Sequence, residues 1–524
     1  MQARAGRVVS IVLGLLLLAV AMTALIAPRP PFTIYRQPVV VGATAALVTI
    51  GLLWRPPAWL RRVLRWSGTP WLVAVAGGWV AVVVGTSLRF PWSWDVRAAN
   101  TIAETLHTGL PLDDRQVAYL SLYPNVHPLV AVHRAAFAVS DATGWPPRTV
   151  LVSLVAVAAG LAVLLVHPLV APVSGRVRAV AAQLVVVALV ATSPWVAVPY
   201  TDILAMPLLT GAVVLVLRAA RRRDGLGLVQ LVASSVLAAG AVTLKTTPAV
   251  VVVAVSVTGL LLVVDLRREW RRALVALAGT ALWVALTLGL VAALGASATS
   301  ALGRGPLPDT SPPTLWWVAN GMTETQSPGN PPRYGGYNVV MVRAVDHLDS
   351  EAATQWSREW IAGQWNSHGL GELAAFYGNK AAWNWGDGMF WAWGEGRDAV
   401  NLTLPPEEGV AGFVVDVDGR FGRWYPLRCD LTQGLWLAVL LVTGLGAVRA
   451  RAPSRDVLLV ALSLLGIAVF TLVFQGRSRY LLTFVPLVVA LAGMVRHRPV
   501  RSMTRVGEWT RAMGRTWRSG PARS

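Results

Sequence analysis

The chain is poor in charge, nearly free of lysine and almost without cysteine. Only 14% of its 524 residues are Asp, Glu, Lys or Arg, where a soluble protein carries about a quarter. That excludes a cytosolic enzyme and an ordinary secreted protein. Cys429 is the only cysteine, so an intramolecular disulfide and a Cys-based metal site are both excluded. Lysine occurs only at Lys245 and Lys380, and arginine supplies the rest of the 46 basic residues. No fixed-period repeat and no low-complexity linker is present, which argues against a solenoid. What fills the chain instead is apolar: 55% of residues are hydrophobic. They come in runs close to the ~20 residues needed to cross a ~30 Å hydrocarbon layer.

The net charge of +20 resembles that of a nucleic-acid binder, but its placement excludes that reading. Basic residues cluster in short loops: Arg55, Arg61, Arg62 and Arg65; Arg176 and Arg178; Arg218 and Arg221–Arg223; Arg267, Arg268, Arg271 and Arg272; Arg449, Arg451 and Arg455. Such clusters mark the cytoplasmic side of a membrane. Apolar runs lie near 7–27, 38–54, 71–89, 148–170, 178–197, 203–218, 228–244, 248–264, 273–294, 434–448, 457–474 and 481–495. About twelve transmembrane helices with both termini inside put every Arg-rich loop in the cytoplasm. The first run could be a cleaved signal peptide. An uncleaved span is preferred, because its removal would leave the second run without a cytoplasmic anchor.

The expected fold is therefore all-α, a polytopic membrane helix bundle. Residues 1–294 form an N-terminal transmembrane module that includes an extracytoplasmic loop at 90–147. Residues 295–433 form a Trp-rich acidic extracytoplasmic loop, with nine Lys or Arg against fifteen Asp or Glu. Residues 434–495 form the C-terminal transmembrane helices, and 496–524 a basic cytoplasmic tail. The tail, with Trp509 and Trp517, reads as a helix on anionic lipid. Segments such as 351–366 have the pattern of interfacial amphipathic helices. The tryptophans of the second loop read either as an aromatic belt or as a platform for sugar rings.

Several polar residues reach the outer face without belonging to a passive bundle. Asp95, in WSWDVRAANTIAETL, falls near the start of a helix, as an N-cap or as a functional carboxylate. Tyr119, Tyr123, Asn125 and His127 form a polar knot around two prolines, where His127 could equally be a turn histidine. Asp202, with Thr201 beside it, stands at the outer end of the fifth run and the start of the next helix, again as an N-cap or as a functional carboxylate. Lys245 punctuates a short outer turn, where snorkelling is the alternative. Arg477, Arg479 and Tyr480 sit in QGRSRYLLTFVP, on the side where the positive-inside bias disfavours arginine. Ionisable residues at membrane depth are costly and usually functional, and paired guanidinium groups suit a phosphate.

The motifs WSWDVRAANTIAETLHTG, YPNVHPL, VPYTD, LKTTP, GGYN, WNWGDGMFW and GRSRYLLTFVPL recur in that order over about 71–490. They resemble the GT-C superfamily of membrane glycosyltransferases. In particular they are similar to glycosyltransferase family 39, with its protein O-mannosyltransferases and bacterial relatives. The resemblance implies a GT-C-like bundle and an inverting transfer outside the cell. A monosaccharide would pass from a polyprenyl-phosphate donor to a hydroxyl-bearing envelope acceptor. It implies Asp95 as catalytic base, with Arg477, Arg479 and Lys245 on the donor phosphate. Asp202 would bind the sugar or position the acceptor, and Tyr337, Asn338, Trp385 and Asp387 would roof the site. No resident cofactor and no metal ligand cluster is expected, the lipid-linked sugar being a substrate. Asp113–Asp114 reads as exposed loop acid rather than a cation site. The alternative is a transporter or a non-catalytic binder of lipid-linked sugar.

Overall fold

A computed structural model describes residues 2–27, 37–53, 57–222, 224–303, 307, 310–326, 332–394 and 408–495. Arg55 and the basic tail with Trp509 and Trp517 lie outside the described residues. The helices of the first half are α1 (Gln2–Ile26), α2 (Pro38–Leu53), α3 (Ala58–Arg65), α4 (Thr69–Ser87), α5 (Trp94–His107), α6 (Asp114–Leu122), α7 (His127–Thr143), α8 (Pro147–Ser174), α9 (Arg176–Val186), α10 (Thr201–Ala219), α11 (Gly225–Leu244), α12 (Ala249–Asp265) and α13 (Trp270–Ser300). The second long segment holds α14 (Thr314–Gly321), strands β1 (Glu324–Thr325) and β2 (Arg333–Tyr334), α15 (Val339–Arg343), α16 (Ser350–Ser367), α17 (Leu370–Trp385) and α18 (Gly409–Asp418). The chain then continues through α19 (Tyr425–Arg449), α20 (Arg455–Val473), α21 (Arg479–Leu482) and α22 (Val485–Met494).

Among the described residues, eight helices are long and apolar enough to cross a membrane: α1, α4, α8, α10, α11, α13, α19 and α20. The shorter α2, α12 and α22 are also apolar. α8 packs against α4, α9, α10 and α22, α10 against α11, and α1 against α19 and α20. α1 and α19 meet through Gly14 and Gly444: a Cβ on Gly14 would lie 2.8 Å from the Gly444 carbonyl oxygen. Glycine is what allows two backbones this close, as in membrane helix pairs generally.

The run 178–197 departs from the expected single span. It is α9, then a π-turn at Val187–Ala191, then a 3₁₀ turn at Pro194–Ala197. Pro194 lacks the N–H that would continue a helix. The carbonyls freed by the break find side chains: the Arg428 guanidinium donates to Thr192 O at 3.0 Å. The loop boundaries also move, because α13 continues to Ser300 and α19 begins at Tyr425. In the second segment α16 occupies the stretch read as amphipathic. A small separate core gathers Trp316, Met341, Val342 and Ala353, with Trp356 and Trp360 packed against it.

Candidate functional site

Asp95 is set by the chain leaving α4. Arg148 donates to Leu88 O at 3.0 Å and to Phe90 O at 2.9 Å, and its guanidinium lies 4.8 Å from the Trp92 ring centre. The Trp92 indole donates to Ala197 O at 3.1 Å. Held at both points, the backbone passes through Trp94 at φ +54°, a region that costs a bulky residue about 1–3 kcal/mol. Asp95 follows in the first turn of α5. Its carboxylate does not bond the helix amides. It accepts the Tyr119 hydroxyl on Oδ1 at 2.6 Å and the Tyr200 hydroxyl on Oδ2. Burial pushes the Tyr119 phenol well above its ordinary pKa, with the Asp95 charge adding to the effect. Tyr119 is therefore a neutral donor, and two hydroxyls fix the carboxylate in orientation.

Tyr200 joins this carboxylate to a second one. The Arg479 guanidinium stacks 4.5 Å from the Tyr200 ring centre, and its Nε lies 3.6 Å from Asp202 Oδ2. Lys245 pairs with the other Asp202 oxygen, Oδ1. The Lys245 ammonium lies 4.8 Å from the Tyr480 ring centre. Asp202 is 1% exposed and its backbone carbonyl accepts from Thr483 Oγ1 at 3.0 Å. Thus α5, α10, the end of α11 and α21 bring two acids and two bases together. Two negative charges face two positive ones, so the cluster balances itself.

Arg477 is buried but points elsewhere. Its guanidinium lies 5.5 Å from the Trp391 ring centre, and Arg333 lies 5.5 Å from the same ring. Trp391 belongs to a turn with three left-handed non-glycine residues, Phe390, Trp391 and Trp393. Asp387 holds that turn, accepting from Met389 N at 2.9 Å, Trp391 N at 2.8 Å and Ser478 Oγ at 2.7 Å. Asp387 therefore ties the turn to the segment between the two arginines.

The other sequence-predicted residues distribute as follows. Tyr123 and Tyr337 meet hydroxyl to hydroxyl at 3.0 Å, joining the two long segments. Tyr480 accepts from Gln475 Nε2 at 3.2 Å. His127 is buried, with Nε2 3.0 Å from Leu120 O and Nδ1 3.0 Å from Thr299 Oγ1. Burial lowers its pKa, and the bond to Thr299 joins α7 to α13. Asn338 caps α15, accepting from Val340 N at 2.9 Å. Asn125 is exposed. Trp385 is buried, and its carbonyl accepts from the Trp436 indole at 2.7 Å. Asp113 forms a capping box with Gln116 at the start of α6. Among the described residues no group of three or more His, Cys, Asp or Glu is placed to hold a metal ion.

Tyr200, Arg333 and Lys380 were not singled out as site residues by the sequence, and Tyr119 only as a member of the polar knot. Tyr200 stands two residues before Asp202 in VPYTD. Lys380 is one of only two lysines, and it is fully buried.

Residues 32–500 match the sequence profile of a family described as a conserved hypothetical integral membrane protein. The chain belongs to this integral membrane protein family. No curated protein matches the sequence. Among solved structures, the chain is similar to the archaeal oligosaccharyltransferase AglB from Archaeoglobus fulgidus in complex with an inhibitory peptide and a dolichol-phosphate. The identity is 13% and the TM-score 0.39, over 87% of this chain and 52% of that one. The chain thus spans about half the length of the archaeal enzyme. Membership of an integral membrane family agrees with the eight helices of spanning length.

Proposed function

We propose that this family member is a GT-C-type membrane glycosyltransferase. It moves a monosaccharide from a polyprenyl-phosphate donor to a hydroxyl acceptor in cell-envelope assembly. The observation that carries the reading is the fixed carboxylate of Asp95, linked through Tyr200 to Arg479 and from there through Asp202 to Lys245. In this reading a lipid headgroup lies at that end.

The roles follow from charge. The acceptor oxygen bonds to C1 of the sugar as the bond from C1 to the phosphate oxygen breaks. Asp95 accepts the acceptor's proton. The lipid phosphate leaves with the bonding pair, and cations held at that oxygen stabilise the developing charge. Arg479, stacked on Tyr200, and Lys245, paired with Asp202, serve the phosphate, with Arg477 and Arg333 on the Trp391 side. Asp202 keeps Lys245 and Arg479 in place and is available to the sugar hydroxyls. In-line attack opposite the leaving phosphate inverts the anomeric carbon.

In the same reading, about twelve spans cross the membrane with both termini cytoplasmic and the site extracytoplasmic. The grouping of arginines at the opposite end supports this orientation. A transporter of lipid-linked sugar would favour polar residues near the bilayer midplane, whereas here they gather at one end of the helices.

The test is transfer by the purified protein from a panel of radiolabelled polyprenyl-phosphate sugars to hydroxyl acceptors. Transfer from at least one donor is expected, and it should be lost in Asp95→Asn. Turnover by Asp95→Asn equal to wild type, or no transfer from any donor, would overturn the proposal.

A further inference from the structure

Lys380 takes no part in the chemistry above, yet it is 0% exposed. Its ammonium donates to Gly321 O at 2.6 Å, Leu472 O at 2.7 Å and Phe474 O at 2.8 Å. These are carbonyls at the ends of α14 and α20, where a helix leaves acceptors unpaired and carries partial negative charge. Three acceptors use all three N–H bonds of an ammonium. The backbone makes room for it: Gly335 has φ +65°, and a Cβ there would lie 2.4 Å from Lys380 Cε.

The residues that follow Phe474 are pinned to the same assembly. Gln475 N donates to Trp317 O at 3.0 Å and Gly476 N to Gly335 O at 2.9 Å. Asn320 Nδ2 donates to Gln475 Oε1 at 2.9 Å. Arg477, Ser478 and Arg479 come next. The ammonium therefore sits where the arginine-bearing segment leaves α20.

We infer that Lys380 is a positioning residue: its ammonium is a tethered cation that joins α14 to α20 and so fixes the segment presenting Arg477 and Arg479. A guanidinium does not replace it, because the three carbonyls surround a point charge rather than a planar fork. The inference rests on the proposed reading of the arginines as phosphate ligands only for its effect on lipid affinity.

The test uses the full-length protein in nanodiscs. Lys380→Met keeps an apolar stem and removes the charge. Lys380→Ala removes the stem and leaves space for propylammonium. Hydrogen exchange reads the amides of Gln475 and Gly476, and titration reads affinity for undecaprenyl phosphate. Each variant should speed exchange at both amides and weaken the lipid by about tenfold, the scale of a lost charged hydrogen bond. Millimolar propylammonium should restore both in Lys380→Ala and neither in Lys380→Met. Wild-type exchange at Gln475 and Gly476 in a folded variant overturns the inference, as does a folded Lys380→Ala that propylammonium leaves unchanged. Should Lys380→Met not fold, the Lys380→Ala comparison decides. Wild-type protein that ignores undecaprenyl phosphate counts against the phosphate reading alone, while the exchange measurement still decides the role of Lys380.

Discussion

At the scale of single residues, the site is a set of ionisable groups that specify one another. Asp95 accepts two tyrosine hydroxyls, and its neighbour Trp94 is held in the left-handed region to place it. Asp95→Asn should lower kcat about 10²- to 10⁴-fold and leave undecaprenyl-phosphate affinity within about threefold, an energy below ~1 kcal/mol. Single-turnover transfer and lipid titration measure the two separately. Tyr200→Phe removes a hydrogen bond to a charge and should cost about tenfold in kcat. Lys245→Met leaves Asp202 buried beside Arg479 alone. Breaking a buried pair in this way costs ~3–5 kcal/mol, read from denaturant unfolding in detergent. Adding Asp202→Asn should recover part of that loss, because no uncompensated acid remains.

What the sequence revealed at this scale has a physical pattern. Asp95, Asp202, Lys245 and Arg479 stand out because a charge in an apolar chain needs an explanation. Tyr200 does not, and Tyr119 shows only as part of the polar knot, since tyrosine is ordinary at a membrane interface and only the fold shows which hydroxyl meets a carboxylate. Arg477 and Arg479 look equivalent when written in a line. The turn at Ser478 sends one to Trp391 and the other to Asp202.

At the scale of elements, apolar runs located the helices well and their ends less well. The π-turn and 3₁₀ turn after α9 escape hydropathy because every residue from Val185 to Ala191 is apolar. Only Pro194 hints at the break. The α1–α19 contact offers a direct check. A leucine at Gly444 would start from a Cβ 2.9 Å from Gly14 O, so Gly444→Leu should destabilise by about 1–3 kcal/mol and lower Tm in detergent. Gly279 has nothing within 4 Å of its position, and Gly279→Leu should leave Tm within error. Asp387→Ala should release the Trp391 turn, since it removes acceptors from two amides and from Ser478 at once. Its expected signature is a weaker lipid affinity together with faster exchange at Met389 and Trp391.

At the scale of the whole molecule, the sequence already groups Asp95, Lys245, Arg477 and Arg479 at one site through their shared side and the resemblance. How α10, α11 and α21 pack is not legible there, and it joins Lys245 and Arg479 through Asp202 while Arg477 turns to Trp391. The orientation can be measured with cysteine. Cys429 is buried, so the parent protein should be silent to a membrane-impermeant maleimide. Leu110 and Leu226 are exposed, and the proposed orientation puts them on opposite sides of the membrane. Leu110→Cys should label in intact cells and Leu226→Cys only after permeabilisation. The reverse pattern would put the site in the cytosol.

The confinement of lysine to two buried positions also has a practical side. The Lys245 side chain is 8% exposed and Lys380 is 0% exposed, so reagents that acylate ε-amines meet no accessible target on the folded chain. Amine-directed crosslinkers and surface-coupling chemistries would therefore capture molecules that have lost their native packing. The yield of lysine acylation becomes a gauge of unfolding that needs neither a substrate nor an assay of turnover.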